Sequence, residues 1–236
     1  MTVPSALGFP RLHLRQTDST NLRARELAAA GAPHGTLVTA GQQSAGRGRQ
    51  GRVWSAPPDQ ALLLSLLLRD PRPLLPLAAG VAIAEAIEPT QARLKWPNDV
   101  LIDGGKVAGI LVEARPQQGW AILGIGINVA IRPDDFPPEL QATAATLGLE
   151  PEAIEPMLGL VIAALSRWLA ASDSEILAGV RARDALLGQP VYWQAGSGTG
   201  AGIDGDGRLI VSLAHGGQTT LDAGEVHLTR QQQQGA

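Results

Sequence analysis

Two consecutive apolar segments constrain the fold of this chain more than any other feature. Ala61–Leu68 is an apolar run of strand length, and Leu74–Ile87 has apolar residues at helical spacing. Charged residues at 69, 70, 72 and 85 interrupt them, so neither supplies the roughly 20 apolar residues of a membrane span. The pair predicts a buried strand with a helix packed on its sheet, and no membrane-spanning segment.

Composition limits the protein class. The 236 residues suffice for one large domain, or for a large and a small one, and 44% apolar with 17% charged residues is typical of a folded globular protein. A net charge of -3 argues against a broad nucleic-acid-binding surface, which needs a basic excess. The absence of cysteine excludes disulfides, thiolate nucleophiles and Cys-ligated zinc. The N-terminus lacks the features of a signal peptide, so we expect a cytoplasmic protein.

Alternating strand and helix signals surround the apolar pair and predict an α+β fold. The predicted strands of the larger part are Arg11–Arg15, Thr36–Gly41, Ala61–Leu68, Arg93–Trp96, Val100–Ile102, Lys106–Ala114 and Trp120–Val129, and its predicted helices are Leu22–Ala30, Leu74–Ile87, Pro151–Ala171 and Ser174–Leu187. Beyond Gly188 and Pro190, short strands with Gly/Asp turns predict a small β-barrel: Val191–Trp193, Gly198–Ile203, Arg208–Leu213, Gln218–Leu221 and Val226–Leu228. We therefore predict a larger domain over residues 1–187, a small β domain over 188–230 and a polar tail over 231–236.

The strongest local motif is Gly46–Arg52, in which three glycines and three arginines share seven residues. Glycine lets backbone N–H groups approach a ligand, and arginine pairs with carboxylate or phosphate, so the motif predicts an anion-binding loop. It lacks the spacing of a P-loop. The alternatives are a mobile basic surface loop and an RG-rich nucleic-acid segment. Because Gln42–Arg52 has little apolar content to pack, we expect it to be mobile without ligand.

Four weaker motifs each have a structural and a functional interpretation. Lys95–Asp99 is either a buried Trp before an Asn-Asp turn or a ligand-binding corner. Asp18–Asn21 offers helix-capping side chains that could instead face a pocket. The glycines of Gly124–Asn128 leave room for a ligand, and Lys106 opens a strand. Lys95 and Lys106 are the two lysines of the sequence, whose other basic residues are arginines.

Together these motifs resemble biotin protein ligases in order and spacing. The segments that carry the resemblance are Asp18–Asn21, Gln43, Gly46–Arg52, Lys95–Asp99, Lys106–Glu113 and Gly124–Asn128. The resemblance implies a catalytic domain with a mixed sheet and packed helices, related to class II aminoacyl-tRNA synthetases, followed by an SH3-like β-barrel. Some members carry an N-terminal helix-turn-helix domain, and because 17 residues precede Asp18 we expect a ligase without that repressor function.

The resemblance assigns site residues. It implies that Lys106, Arg47 and Arg49 act in catalysis and that no residue is a metal ligand. The implied biotin-binding residues are Ser19, Thr20, Asn21, Gln43, Arg47, Gly48, Arg49 and Lys106. The implied ATP-binding residues are Arg47, Lys95, Trp96, Asn98 and Asn128.

The implied activity is that of a biotin–[biotin carboxyl carrier protein] ligase. Biotin would be activated by ATP with Mg²⁺ to biotinyl-5′-AMP and transferred to one lysine of a biotin carboxyl carrier protein; the resemblance also allows a homodimer. Two alternatives remain at this stage. Lipoate ligases perform the same two steps on a related fold, although the Gly/Arg loop and the Lys-Trp-Pro-Asn-Asp motif favour biotin. A nucleic-acid-binding module would explain Gly46–Arg52 but leaves Lys95, Lys106 and Asn128 unexplained.

Overall fold

A mixed seven-stranded sheet forms the larger part of the computed structural model, which describes residues 6–87, 92–222, 224 and 226–228. The strand order is β1-β2-β3-β7-β6-β5-β4; β1 is parallel to β2, and all other neighbours are antiparallel. The strands are β1 Arg11–Thr17, β2 Leu37–Gln43, β3 Ala61–Arg69, β4 Arg93–Lys95, β5 Asp99–Ile102, β6 Gly105–Arg115 and β7 Trp120–Asn128.

Helices cover both faces of this sheet, which confirms the predicted α+β class. Helix α1 packs with Val38, Leu67 and Ile122 on one face, whereas α2 and α3 pack on the other face in the main core. The helices are α1 Thr20–Ala29, α2 Leu75–Ala86, α3 Ile154–Ala170 and α4 Asp173–Arg181.

Strand β3 lies at the centre of the sheet, between β2 and β7. Its even-numbered leucines, such as Leu64 and Leu66, belong to the main core with α2, whereas Leu67 packs under α1. Because side chains alternate along a strand, Ser65 faces the α1 side, where it pairs in register with Gly124 of β7. This side of the sheet carries the candidate site.

Helix α3 is longer than the apolar segments weighed above for a membrane span. Pro151–Ala170, which contains it, is long and apolar enough for a span by length and mean hydropathy, 1.4. However, its buried residues Met157, Val161, Ala164 and Leu165 recur at helical spacing, and α3 packs against α2. This pattern is that of the predicted amphipathic helix on a protein core.

A second sheet lies near the C-terminus and is consistent with the predicted SH3-like domain. Its four antiparallel strands, in the order β11-β10-β9-β8, are β8 Pro190–Trp193, β9 Gly196–Ile203, β10 Leu209–Ser212 and β11 Gln218–Leu221. The strand predicted over 226–228 is reduced to an isolated bridge between His227 and Tyr192. Residues 229 and 230 and the predicted tail lie outside the described residues.

The last helix is shorter than predicted: α4 ends at Arg181, not at Leu187. The following residues leave the helix to pair with β4, where Leu94 N donates to Arg183 O at 2.8 Å and Ala185 N donates to Leu94 O at 2.9 Å. A long-range strand contact therefore overrides the local helical pattern. It also brings the second sheet against the first, where Arg181 Nε donates to Ile203 O.

Candidate active site

Three glycines on β6 and β7, here called the glycine wall, leave one area of the sheet bare: Gly109, Gly124 and Gly126. Gly109 and Gly126 are paired in register. A Cβ at Gly124 would lie 2.1 Å from Asn21 Oδ1, and one at Gly126 would lie 2.5 Å from Trp54 Cε2. The glycines were predicted to make room for a ligand, and the Asn21 and Trp54 side chains lie against them.

Beside the wall, the start of α1 holds a buried polar cluster. Ser19, Thr20 and Asn21 are all at most 4% exposed. The Thr20 N–H and hydroxyl both donate to Gln43 Oε1, at 2.7 and 3.0 Å, and Asn21 Nδ2 donates to Glu113 Oε2 at 2.8 Å. Ser19 occupies the N-cap position, but its side chain makes no capping hydrogen bond. The structure thus favours the pocket interpretation of this motif over simple helix capping.

Both lysines converge on one carboxylate at the other end of the wall. Lys106 Nζ lies 2.6 Å from Asp99 Oδ1, and Lys95 Nζ lies 3.3 Å from Asp99 Oδ2. Burial acts to raise the pKa of Asp99, but the two ammonium groups together outweigh burial and hold this pKa below its ordinary value. Asn128 Nδ2 donates to the backbone oxygens of Lys106 and Ala145, so this amide fixes the start of β6.

The predicted anion-binding loop, Gly46–Arg52, is here called the arginine loop. Arg47 Nη1 donates to Glu113 Oε1 at 3.3 Å, and Arg49 Nη1 donates to Asn98 Oδ1 at 2.9 Å. Gly48 N donates to Arg52 O at 2.7 Å, which closes the loop on itself. These polar contacts hold the loop against the rest of the protein. The low apolar content of the loop gave no reason to expect them. The first two residues of the predicted loop segment, Gln42 and Gln43, belong to β2.

The C-terminal part of the chain reaches this loop. Arg49 Nη2 donates to the Gly224 backbone oxygen at 3.0 Å. Burial lowers the pKa of the Arg49 guanidinium, and the nearby Asp99 carboxylate opposes that effect. The pKa of His227 is also lowered, first by burial and then by the positive charges of Lys95 and Arg52. The segment that follows β11 thus contributes a boundary to the site.

Trp96 is placed differently from the other predicted residues. Its indole is 4% exposed and its Nε1 donates to Gly207 O at 2.9 Å, so the ring packs between the two sheets. This arrangement matches the alternative of a buried Trp before a turn, and we remove the Trp96 side chain from the ATP-binding set. The neighbouring Asn98 remains at the site, with Nδ2 donating to Ile110 O and Oδ1 accepting from Arg49.

Four residues to which sequence reasoning gave no role are part of the site: Trp54, Ser65, Asp99 and Glu113. Trp54 lies over Gly126, and Lys106 Nζ is 5.7 Å from its ring centroid. Its Nε1 is buried and has no hydrogen-bond partner within the described part of the chain. A sequence signal did exist for Ser65 and Glu113, because each is a polar residue inside an otherwise apolar strand.

Comparison with known proteins agrees with this geometry. Residues 13–129 match the model of the Biotin/lipoate A/B protein ligase family. The biotin--[acetyl-CoA-carboxylase] ligase of Paracoccus denitrificans is 37% identical over 238 residues, which cover 90% of this chain and 98% of that protein. The structure of the Aquifex aeolicus biotin protein ligase in complex with biotin and ATP superposes with a TM-score of 0.78 at 30% identity, covering 92% of this chain and 97% of that one.

A further relative is longer than this chain. The bifunctional ligase/repressor BirA of Bacillus subtilis (strain 168) is 46% identical over 140 residues, which cover 55% of this chain and 43% of that protein. The match therefore spans less than half of that relative. The relative from Paracoccus is matched over nearly its whole length above 30% identity. The chain belongs to the biotin protein ligase family.

Proposed function

We propose that this chain activates biotin with ATP to form biotinyl-5′-AMP and transfers the biotinyl group to one lysine of a biotin carboxyl carrier protein. The observation that carries the proposal is the glycine wall, which is surrounded by polar atoms that lack protein partners. Trp54 Nε1 is one of them, and among the described residues neither the Ser19 hydroxyl nor Gln43 Nε2 is hydrogen-bonded. Buried polar groups are normally paired, so the buried and unpaired Trp54 Nε1 indicates a ligand, and the Ser19 hydroxyl and Gln43 Nε2 are free to bind it.

The polar cluster is suited to the ureido end of biotin. A ureido group has two N–H donors and one carbonyl acceptor, and hydroxyl and amide side chains can satisfy both kinds of atom. We assign this end of biotin to Ser19, Thr20, Asn21 and Gln43. The burial of Ser19, Thr20 and Asn21 excludes water, which strengthens each hydrogen bond and raises the penalty for a ligand that leaves one of them unpaired.

Lys95, Lys106 and Asp99, here called the lysine corner, are suited to the carboxylate of biotin and to the phosphates of ATP. Lys106 lies at the end of the wall opposite the polar cluster, and its compact ammonium can contact a carboxylate and a phosphate oxygen from one point. Lys95, on the other oxygen of the same aspartate, brings a second positive charge. We assign Lys106 to the biotin carboxylate and Lys95, Asn98 and Asn128 to the ATP side.

The arginine loop supplies positive charges that can exchange their present contacts for contacts to the reacting groups. The Arg49 guanidinium donates to two neutral oxygens, those of Asn98 and Gly224. A phosphate oxygen is a stronger partner for a guanidinium, so ligand can displace these contacts. We propose that Arg47 and Arg49 neutralise charge at the α-phosphate, while Gly48 allows the loop backbone to approach biotin.

The chemistry needs no nucleophile from the enzyme. An oxygen of the biotin carboxylate attacks the α-phosphorus, the bond to the bridging oxygen breaks, and pyrophosphate leaves. In the second step the carrier lysine amine attacks the acyl carbon, AMP leaves with the anhydride oxygen, and the amine loses a proton. Catalysis is then positioning and electrostatic stabilisation.

Magnesium enters this scheme as part of the MgATP substrate. The described residues include no group of three or more His, Asp or Glu placed to hold a metal. This fits Mg²⁺, which commonly takes most of its ligands from phosphates and water. When bound it would neutralise phosphate charge, and no side chain of this chain is assigned to it.

Pyrophosphate release tests the activity. We expect release that requires both biotin and ATP, no release with lipoate and ATP, and label transfer to a carrier domain but not to its lysine-to-arginine variant. Pyrophosphate release with lipoate and ATP, in the absence of biotin, would contradict biotin as the substrate. Release with ATP in the absence of both acids would contradict the proposed activity. The domain boundary at residue 188, the cytoplasmic location and the homodimer stay predictions.

A further inference from the structure

A buried hydroxyl lies behind the polar cluster. Ser65 is 0% exposed, in the middle of β3, and no ligand role has been assigned to it above. Its Oγ lies 2.8 Å from Thr20 Oγ1 and 2.6 Å from Asn21 Oδ1. A hydroxyl buried among leucines destabilises a core unless it is hydrogen-bonded, so both contacts matter to the fold and to the site.

The direction of these hydrogen bonds is set from Glu113. Its carboxylate accepts from Asn21 Nδ2, which turns Asn21 Oδ1 toward Ser65. Because that oxygen can only accept, the Ser65 proton must point to Asn21. At the other end, the backbone N–H of Thr20 donates to Gln43 Oε1 at 2.7 Å and thereby fixes this oxygen as an acceptor.

Counting protons shows that the cluster lacks one donor. Three contacts join oxygen atoms: Ser65 with Asn21, Ser65 with Thr20, and Thr20 with Gln43. The two hydroxyl groups supply only two protons, and one is committed to Asn21. The Thr20 proton can therefore serve Ser65 or Gln43 but not both, and the oxygen pair of Thr20 and Gln43 is left able to accept one more hydrogen bond.

We propose that Glu113, Asn21, Ser65 and Thr20 form a hydrogen-bond relay that makes Thr20 and Gln43 an acceptor site for an N–H group of the ligand. Ser65 and Glu113 act in it as positioning residues that determine specificity. The inference rests on the proposed function, because the ureido N–H of biotin is a donor of this kind. The dithiolane ring of lipoate has no N–H, so the relay gives a physical reason for rejecting the rival substrate.

The first test is Ser65→Ala, with the KM for biotin, the KM for ATP, kcat and Tm measured together by pyrophosphate release and thermal unfolding. Without the Ser65 hydroxyl, Asn21 and Thr20 lose their common partner, and we expect the KM for biotin to rise about ten-fold, as for loss of one buried hydrogen bond. The KM for ATP and kcat should stay within about two-fold. Ser65→Cys, which keeps the size and a weak donor, should recover part of the loss.

The matched control is Thr36→Val. Thr36 is a buried residue of the same sheet region, 3% exposed, but its hydroxyl donates to Pro33 O, outside the relay. This variant should lower Tm without changing the KM for biotin. If biotin and ATP KM values rise together in Ser65→Ala, or if the KM for biotin does not change, the relay is overturned.

Glu113→Gln keeps the proposal falsifiable if Ser65→Ala does not fold, because the Glu113 side chain is 20% exposed. An amide can donate as well as accept, so Asn21 loses its fixed orientation and the KM for biotin should rise. Combined with Ser65→Ala, the effects should be less than additive, since the relay is already broken. Additive effects, or an unchanged KM for biotin in Glu113→Gln, would contradict the relay and leave the proposed function standing. A wild-type chain that releases no pyrophosphate with biotin would overturn the proposed function with it.

Discussion

The glycine wall and the arginine loop border the same site but are held in place by different forces. All nine residues of β7 are buried, and the strand pairs on both sides, with β3 and β6. In the arginine loop only Gly46 is buried, and the anchors are single polar contacts of Arg47 and Arg49. The wall is part of the core, whereas the loop is attached to it by a few bonds.

Because of this difference, the glycine wall and the arginine loop are suited to different tasks. A surface made by paired, buried strands cannot move without unfolding part of the core, so it is suited to recognise a ligand by fixed geometry. Contacts worth about 1 kcal/mol each can be exchanged for contacts to a phosphate, so the loop is suited to retain an intermediate and then release it. Substitutions in the wall should therefore change recognition and chemistry, and substitutions in the loop should change retention.

The largest effect is expected at the wall, for Lys106→Arg. The guanidinium keeps the charge but is planar and longer, which misplaces the donors by about 1 Å, and adenylate formation should fall by about two orders of magnitude. Tm should change little, because the pair with Asp99 can still form. Lys95→Arg should show a milder loss. Pyrophosphate release at saturating biotin checks both, and wild-type rates in Lys106→Arg would contradict the assignment.

In the loop, Arg49→Gly should leave the fold intact and release pre-formed biotinyl-5′-AMP faster by roughly ten-fold or more. The reason is loss of one charge-assisted contact, worth on the order of 1.5–3 kcal/mol. The measurement is the dissociation rate of the adenylate. Arg132→Ala serves as the control, since its exposed guanidinium pairs with Asp135 away from the site. An unchanged rate in Arg49→Gly would place this residue outside the retention machinery.

Asp99→Asn should loosen the lysine corner. Because the pKa of Asp99 is held below 3.8 in the folded chain, its ion pairs stabilise the fold at pH values above 3.8 and are lost as the pH falls through the lowered value. The partner lysines are partly exposed, so we expect a loss of about 1 kcal/mol at pH 7. Denaturation at pH 7 and pH 3 tests this prediction: the gap between wild type and variant should narrow in acid, and a constant gap would contradict it.

The smallest effect compares two glycines directly. Gly126→Ala adds a methyl group 2.5 Å from the Trp54 ring, on a wall that cannot yield, and the KM for biotin should rise about five-fold through displaced packing. Gly48→Ala adds one 3.3 Å from Arg52 O, on a loop that can shift, and should change the KM less than two-fold. Equal effects at the two positions would remove the distinction between wall and loop.

Local patterns predicted the framework of this fold. The apolar run of β3 and the helical spacing of α2 are encoded within a few residues, and each lies where expected. The predicted C-terminal end of α4 was wrong because a contact distant in sequence ends the helix: Leu94 pairs with the residues that follow it. The resemblance implied an ATP-side role for Trp96, and the motif alone does not reveal that the indole Nε1 donates to the distant Gly207 O.

The prediction of the site was also incomplete, because local motifs do not reveal contacts between residues that are distant in sequence. Residues in compact motifs, such as Thr20, Arg49 and Lys106, lie around the wall. Trp54, Ser65 and Glu113 were missed because their roles depend on contacts across three strands and a loop. Periodicity indicates that Ser65 is buried, but the two oxygens it contacts, on Thr20 and Asn21, belong to another element.

The pairing of both lysines with one aspartate has a further consequence if the chain forms the proposed acyl-adenylate. Such an intermediate acylates free amines, and guanidinium groups stay protonated and do not react. The sequence has two lysine side chains, and both pair with the Asp99 carboxylate. An adenylate that escapes therefore finds no unpaired lysine on its own enzyme.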